Sequence, residues 1–162
     1  LSAIGLINKY ANLLVIRTLS KGYGLAGLRF AYALGHKKTI SIIENYQDTL
    51  LMTSGLVVKL AEFALTNQQF IKGTAAQTKK IKKVLFDEIK LLNNIEIGAD
   101  TKTNIYLLRH KNKNLHKELL RKSILTADFS SALGLEGQNF IRVTVGDKDK
   151  NIQLLNALKE IC

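Results

Sequence analysis

The sequence predicts an α/β chain built from three stretches: two strands around a glycine-rich turn, a long helical connector, and a small α+β unit. Three observations carry this. Alternating and β-branched apolar runs flank the turn GYGLAG at residues 22–27. Apolar residues recur at three- and four-residue spacing from about Thr39 to Asn93. Strand-like and helix-like patterns then alternate to the C-terminus.

Residues 12–20 (NLLVIRTLS) are apolar, β-branched and bounded by turn formers, which predicts a buried strand. Residues 28–35 (LRFAYALG) predict a second strand with Phe30, Tyr32 and Leu34 on one face. Leu56, Leu60, Phe63 and Ala64, then Ile81, Val84, Leu85, Ile89 and Leu92, mark helix faces, and Gly73 is the expected break or kink between them. Downstream the pattern predicts strands at 104–109, 124–129 and 140–145, and helices at 114–122 and 148–161, the last capped by Asp147 or Asp149. Two strands and a turn do not make a core by themselves. With Leu1 in first place, residues 1–35 read as the end of a larger sheet and the chain as a fragment.

Composition is that of a globular protein, 46% hydrophobic and 23% charged, with a net charge of +11. Apolar runs are broken by Lys, Asn or Gln well short of a bilayer span, and residues 1–16 lack a basic leader and a small-residue cleavage site. Lys79, Lys80, Lys82 and Lys83 form the densest basic cluster, and Arg109, Lys111, Lys113 and Lys117 a second. Neither is interleaved with aromatic residues, so both are expected to be solvated faces rather than a nucleic-acid surface. His36, His110 and His116 are scattered beside lysines without metal-ligand spacing and are expected to be solvated. Cys162 has no internal partner, which fits a reducing cytoplasm.

Gly22, Gly24 and Gly27 formally spell a dinucleotide fingerprint after a strand. That fingerprint must open a helix whose N-terminus meets a pyrophosphate. Strand-like sequence resumes at Leu28, and Glu44 sits in helical sequence rather than at a strand end, so the dinucleotide reading is rejected.

The segment Thr18-Leu19-Ser20-Lys21-Gly22-Tyr23-Gly24-Leu25-Ala26-Gly27 resembles the cofactor-attachment signature of the class II aminotransferases, which have fold type I. Arg29, eight residues past the lysine, stands as in the histidinol-phosphate aminotransferase branch. Thr103-Asn104-Ile105-Tyr106 is similar to that family's Ala-Asn-Phe strand, and Phe140-Ile141-Arg142-Val143-Thr144-Val145-Gly146 to its Arg-hydrophobic-Thr-hydrophobic-Gly strand. One departure stands out. The arginine that helps to hold the substrate phosphate is missing from Ile124-Leu125-Thr126-Ala127-Asp128, with Thr126 at that place. A proline-rich segment is also replaced by Tyr46-Gln47-Asp48-Thr49-Leu50.

The resemblance implies residues 1–48 as the last strands of the large cofactor-binding domain, 49–93 as connecting helices and 94–162 as the small domain. It implies pyridoxal 5'-phosphate held by Lys21 as a Schiff base, with Ser20 and Arg29 on the phosphate. Lys21 would then move the proton between substrate and cofactor. Arg142 would meet the anionic end of the substrate, or pair structurally with Asp128 or Asp147. Asn104 would orient a loop at the substrate or simply end a strand, and Tyr23 would pack. The expected reaction passes an amino group between an amino acid or amino-alcohol phosphate and a 2-oxo acid, in a cytoplasmic homodimer. Two alternatives are a decarboxylase of the threonine-phosphate type on the same scaffold, and a non-catalytic basic domain for nucleic acid or a protein partner. The family's ring-stacking aromatic and pyridine-nitrogen carboxylate lie upstream of the matching region, so these residues alone are expected to show little turnover.

Overall fold

A computed structural model describes residues 2–46, 53–99 and 101–162. They divide into two compact units, Leu1–Ala75 and Ala76–Cys162.

In the first unit, β1 (Leu14–Thr18) and β2 (Ala31–Gly35) pair antiparallel, from Leu14 opposite Gly35 to Thr18 opposite Ala31. Both are shorter than the sequence pattern suggests, because the turn consumes Leu19 and Ser20 at one end and a 3-10 turn takes Ala26–Leu28 at the other. β1 is also less buried than expected: Ile16 is 68% exposed, since β2 is its sole partner strand among the described residues. Helix α1 (Lys37–Asn45) is capped by His36, whose Nδ1 accepts the Lys38 amide at 3.3 Å. Of the segment Tyr46-Gln47-Asp48-Thr49-Leu50, the last four residues lie outside the described ones.

Two helices follow, α2 (Gly55–Thr66) and α3 (Gln68–Lys90). The break between them falls at Asn67 and not at Gly73. Asn67 Oδ1 accepts the Phe70 amide at 3.4 Å and so starts α3, whereas Gly73 lies inside that helix on an open face. An exposed helix tolerates a glycine for about 1 kcal/mol, but its first amides need an acceptor. The unit's small core is Leu19, Ala61 and Ala64, backed by Tyr23, Phe30 and Tyr32. Of the stripe Leu56, Leu60, Phe63 and Ala64, only Ala64 is buried.

The second unit holds a proper core. Strands β3 (Ile95–Ile97), β4 (Ile105–His110), β5 (Ala127–Asp128) and β6 (Ile141–Thr144) form a fully antiparallel sheet in the order β3-β4-β6-β5. Helices α4 (Leu115–Arg121) and α5 (Lys148–Ile161) cover it together with the end of α3. Tyr106 and Leu108 of β4, Leu85 and Ile89 of α3, Leu119 of α4 and Leu158 of α5 are all nearly or fully inaccessible. Burying each such side chain contributes about 1.5–3 kcal/mol. The strand expected at 124–129 shrinks to Ala127–Asp128, because Ser123 turns in the left-handed region (φ 61°) and the Ile124 amide goes back to Leu119 O. Asp147 caps α5 by accepting the Lys150 amide at 2.9 Å.

Several polar residues are not the solvated ones expected. Lys82 is buried, its ammonium donating to Thr101 O and lying 4.9 Å from the Phe86 ring centroid. Arg109 pairs with Glu96 at 2.6 Å across β3–β4. His110 is buried because β4 alternation turns it inward with Tyr106 and Leu108. His116 is half-buried and shares a hydrogen bond with the Thr126 hydroxyl at 3.1 Å.

Candidate functional site

β1 ends at Thr18, and period-two alternation puts Ser20 on the same side of the chain. The two hydroxyl oxygens lie 2.8 Å apart, Thr18 Oγ1 accepts the Ser20 amide at 3.1 Å, and the Thr18 hydroxyl also donates to Phe30 O just before β2. Leu19, between them, is 1% exposed and anchors the turn in the small core.

Lys21 follows at the tip, with its side chain exposed. The Gly24 amide donates to Lys21 O at 3.2 Å and the Leu25 amide to Leu19 O at 3.1 Å, which closes the loop around the lysine. Gly24 has φ 68°, a left-handed conformation that costs any other residue about 1–2 kcal/mol. Gly22 matters for a different reason. A Cβ there would stand 2.7 Å from Ile71 Cδ1 of α3, so the absence of a side chain lets the turn seat against that helix.

Arg29 closes the 3-10 turn in the left-handed region, φ 50°, and Nη1 donates to Ala26 O at 3.1 Å. Its guanidinium retains further donors directed away from that carbonyl. Between Thr18 and Arg29 the chain therefore collects one exposed primary amine, two paired hydroxyls and one guanidinium. That donor set fits an aldehyde carrying a phosphate: the amine for the carbonyl carbon, the other groups for the dianion.

The remaining two candidates lie in the second unit. Asn104 precedes β4, and its carbonyl accepts the Val145 amide at 2.8 Å, which extends the β4–β6 ladder by one bond. Arg142 is on the outward face of β6, opposite Leu107 on one side and Ala127 on the other. It pairs with neither Asp128 nor Asp147. Its guanidinium lies 5.1 Å from the Phe129 ring centroid instead. Asp128 Oδ1 accepts the Ser130 amide, and hydrogen bonding from the Ser130 backbone and side chain, with smaller electrostatic contributions from His116 and Lys117, holds its carboxyl below the usual range. So Ser20, Lys21 and Arg29 share the connection between β1 and β2, while Asn104, just before β4, and Arg142, on β6, lie in the second unit.

Sequence reasoning missed Thr18 as the partner of Ser20, though their spacing along a strand was a usable signal. It also missed the stacking of Arg142 on Phe129 and the His116–Thr126 bond, for which the one-dimensional pattern holds no signal.

The aminotransferase class I and II family profile matches residues 1–158. Curated relatives include the histidinol-phosphate aminotransferase of Caldanaerobacter subterraneus subsp. tengcongensis, 33% identical over 96% of this chain and 43% of that protein. Another is histidinol-phosphate aminotransferase 1 of Archaeoglobus fulgidus, 33% identical over 93% of this chain and 45% of that protein. Among solved structures, the histidinol-phosphate aminotransferase of Clostridium acetobutylicum superposes with a TM-score of 0.87 at 25% identity, over 99% of this chain and 48% of that one. L-threonine-O-3-phosphate decarboxylase of Porphyromonas gingivalis shares the fold, with a TM-score of 0.78 at 24% identity over 98% and 49% of the two chains. The chain thus spans less than half the length of the proteins it matches.

Proposed function

The chain belongs to the class I and II aminotransferase family, and from that premise we propose that it is part of a pyridoxal-phosphate-dependent enzyme of the histidinol-phosphate aminotransferase kind. The transferred group is an amino group, passed between an amino acid or amino-alcohol phosphate and a 2-oxo acid. One observation carries the proposal: the exposed Lys21 stands at the tip of a glycine-closed turn, in the same β1–β2 connection that holds the Thr18–Ser20 hydroxyl pair and Arg29.

Pyridoxal phosphate, when bound, supplies an aldehyde to join the amine and a ring that draws electrons from the substrate α-carbon. The protein's part is binding, orientation and proton transfer. Lys21 Nζ would hold the aldehyde carbon and later carry the proton leaving the substrate α-carbon. Ser20 and Arg29 would grip the phosphate, and a bidentate guanidinium contact fixes orientation as well as affinity. Arg142, splinted by Phe129, would receive the anionic end of the substrate, with Asn104 beside that strand. The whole protein is proposed to work as a cytoplasmic homodimer.

The test is addition of pyridoxal phosphate to the purified chain, an absorbance spectrum, then borohydride reduction and peptide mapping. A reduced adduct on Lys21 supports the assignment. Absence of an adduct both here and on a chain extended upstream would sink it. A decarboxylase on the same scaffold, as the Porphyromonas gingivalis fold likeness allows, would release carbon dioxide from the substrate where a transaminase releases none.

A further inference from the structure

Lys150 plays no part in the chemistry above, yet it lines the same cavity of the second unit as Arg142 and Thr126. The cavity measures about 430 Å³, and Ser123 and Thr144 add further hydroxyls to its wall. Among the described residues, no Asp or Glu lines it. Among the described residues, neither Arg142 nor Lys150 forms an ion pair with a carboxylate.

The stem of Lys150 is placed from below. It lies over Gly146, where an added Cβ would stand 3.1 Å from Lys150 Cβ. Gly146 is itself clamped by the buried Asn151, which accepts its amide at 3.0 Å and donates to its carbonyl at 2.8 Å. Thr126, also in the lining, is tethered through His116.

Two cations in one cavity without a carboxylate repel each other until an anion lies between them. A carboxylate, with one charge, is matched by a single guanidinium. A phosphate monoester carries close to two charges at neutral pH and uses both cations. We propose that Lys150 is a specificity-determining residue: the second cation of the Arg142 cavity, selecting substrates whose anionic end is a dianionic oxyanion over those ending in a monocarboxylate. It supplies from α5 the positive charge that the stretch Ile124-Leu125-Thr126-Ala127-Asp128 lacks. This inference rests on Arg142 being the ligand of the substrate's anionic end.

The experiment is an NMR titration of the 162-residue chain with inorganic phosphate and, separately, with acetate, at neutral pH and constant ionic strength. Saturable shifts are expected for amides in 124–127 and 142–151, with phosphate bound more tightly. Lys150→Gln should weaken phosphate about tenfold, the size of one charge-assisted hydrogen bond, and leave acetate unchanged. Arg142→Gln should weaken both. Gly146→Ala crowds the lysine stem without altering charge and should fall between wild type and Lys150→Gln for phosphate. An unchanged phosphate-to-acetate ratio in Lys150→Gln overturns the proposal, as do unsaturable shifts spread over Lys79 and Lys83. Failure here is distinguishable from failure of the proposed function: that reading stands or falls on the Lys21 adduct, which does not involve this cavity.

Discussion

The backbone amide of Lys113 donates to Nδ1 of His110 at 3.0 Å, and the amide of Asn112 does the same at 3.0 Å. Nδ1 is thus the acceptor, the ring proton of the neutral form sits on Nε2, and the imidazole fastens the turn between β4 and α4. Protonation would place an N–H against two N–H donors. Burial, with the Lys113 ammonium nearby and Glu118 acting weakly in the opposite sense, lowers the His110 pKa from 6.5.

The sign of the resulting pH dependence follows. The folded state binds fewer protons than the unfolded state just below pH 6.5, so the stabilisation is complete above that value and drains away as pH falls through it. Urea midpoints measured from about pH 8 down to about pH 5 should therefore decline on the acid side. His110→Asn keeps an acceptor for both amides but does not titrate, and its profile should be flatter. Identical profiles for the two proteins would remove His110 as the cause.

Lys21→Ala should remove the borohydride-trapped pyridoxal adduct from the peptide that spans the closed turn, since no other amine occupies it. Arg29→Ala should preserve the adduct site but weaken cofactor retention by about 1.5–3 kcal/mol, the range for a hydrogen bond to a charged group. Equilibrium dialysis against pyridoxal phosphate reads the difference directly.

Glycines in the turn should not be equivalent. Gly24→Ala forces an alanine to φ 68° and should cost about 1–2 kcal/mol of local stability. Gly27 has open space around its missing Cβ and an ordinary φ, so Gly27→Ala should be close to neutral. Gly22→Ala should be partly rescued by Ile71→Val, which removes the atom 2.7 Å away. Thermal melts of the three variants and the rescue pair provide the comparison.

Leu158→Ala removes a side chain with no exposed surface from the larger core and should cost about 2–5 kcal/mol. Leu133→Ala, at a position 97% exposed, should stay within about 0.5 kcal/mol of wild type. Denaturant unfolding followed by far-ultraviolet circular dichroism separates them.

The parts legible in the sequence are those that local chemistry decides. The turn around Lys21 and its flanking strands could be read because alternation, glycines and a strand end all lie within a short window. The cap of α5 was narrowed to Asp147 or Asp149 for the same reason, and the structure places Asp147 there. The break at Asn67 was obscured because Gly73 is a stronger local breaker than Asn67, yet capping of the Phe70 amide decided the matter. Burial of His110 and Lys82 depends on β4 facing α3 and on a carbonyl nineteen residues from the lysine, neither of which has a local signature. β3 escaped notice because three residues are too few to display a period.

The two-stranded sheet of the first unit has a consequence for isotope exchange. β1 and β2 share one ladder, and in an antiparallel pair successive amides point alternately into that ladder and away from it. Amides of β1 facing β2 should take up deuterium only when the pair opens, whereas their immediate neighbours meet solvent directly. Deuterium should therefore enter β1 with a period of two residues: a comb of fast and slow positions from Leu14 to Thr18 that a strand paired on both sides would not display.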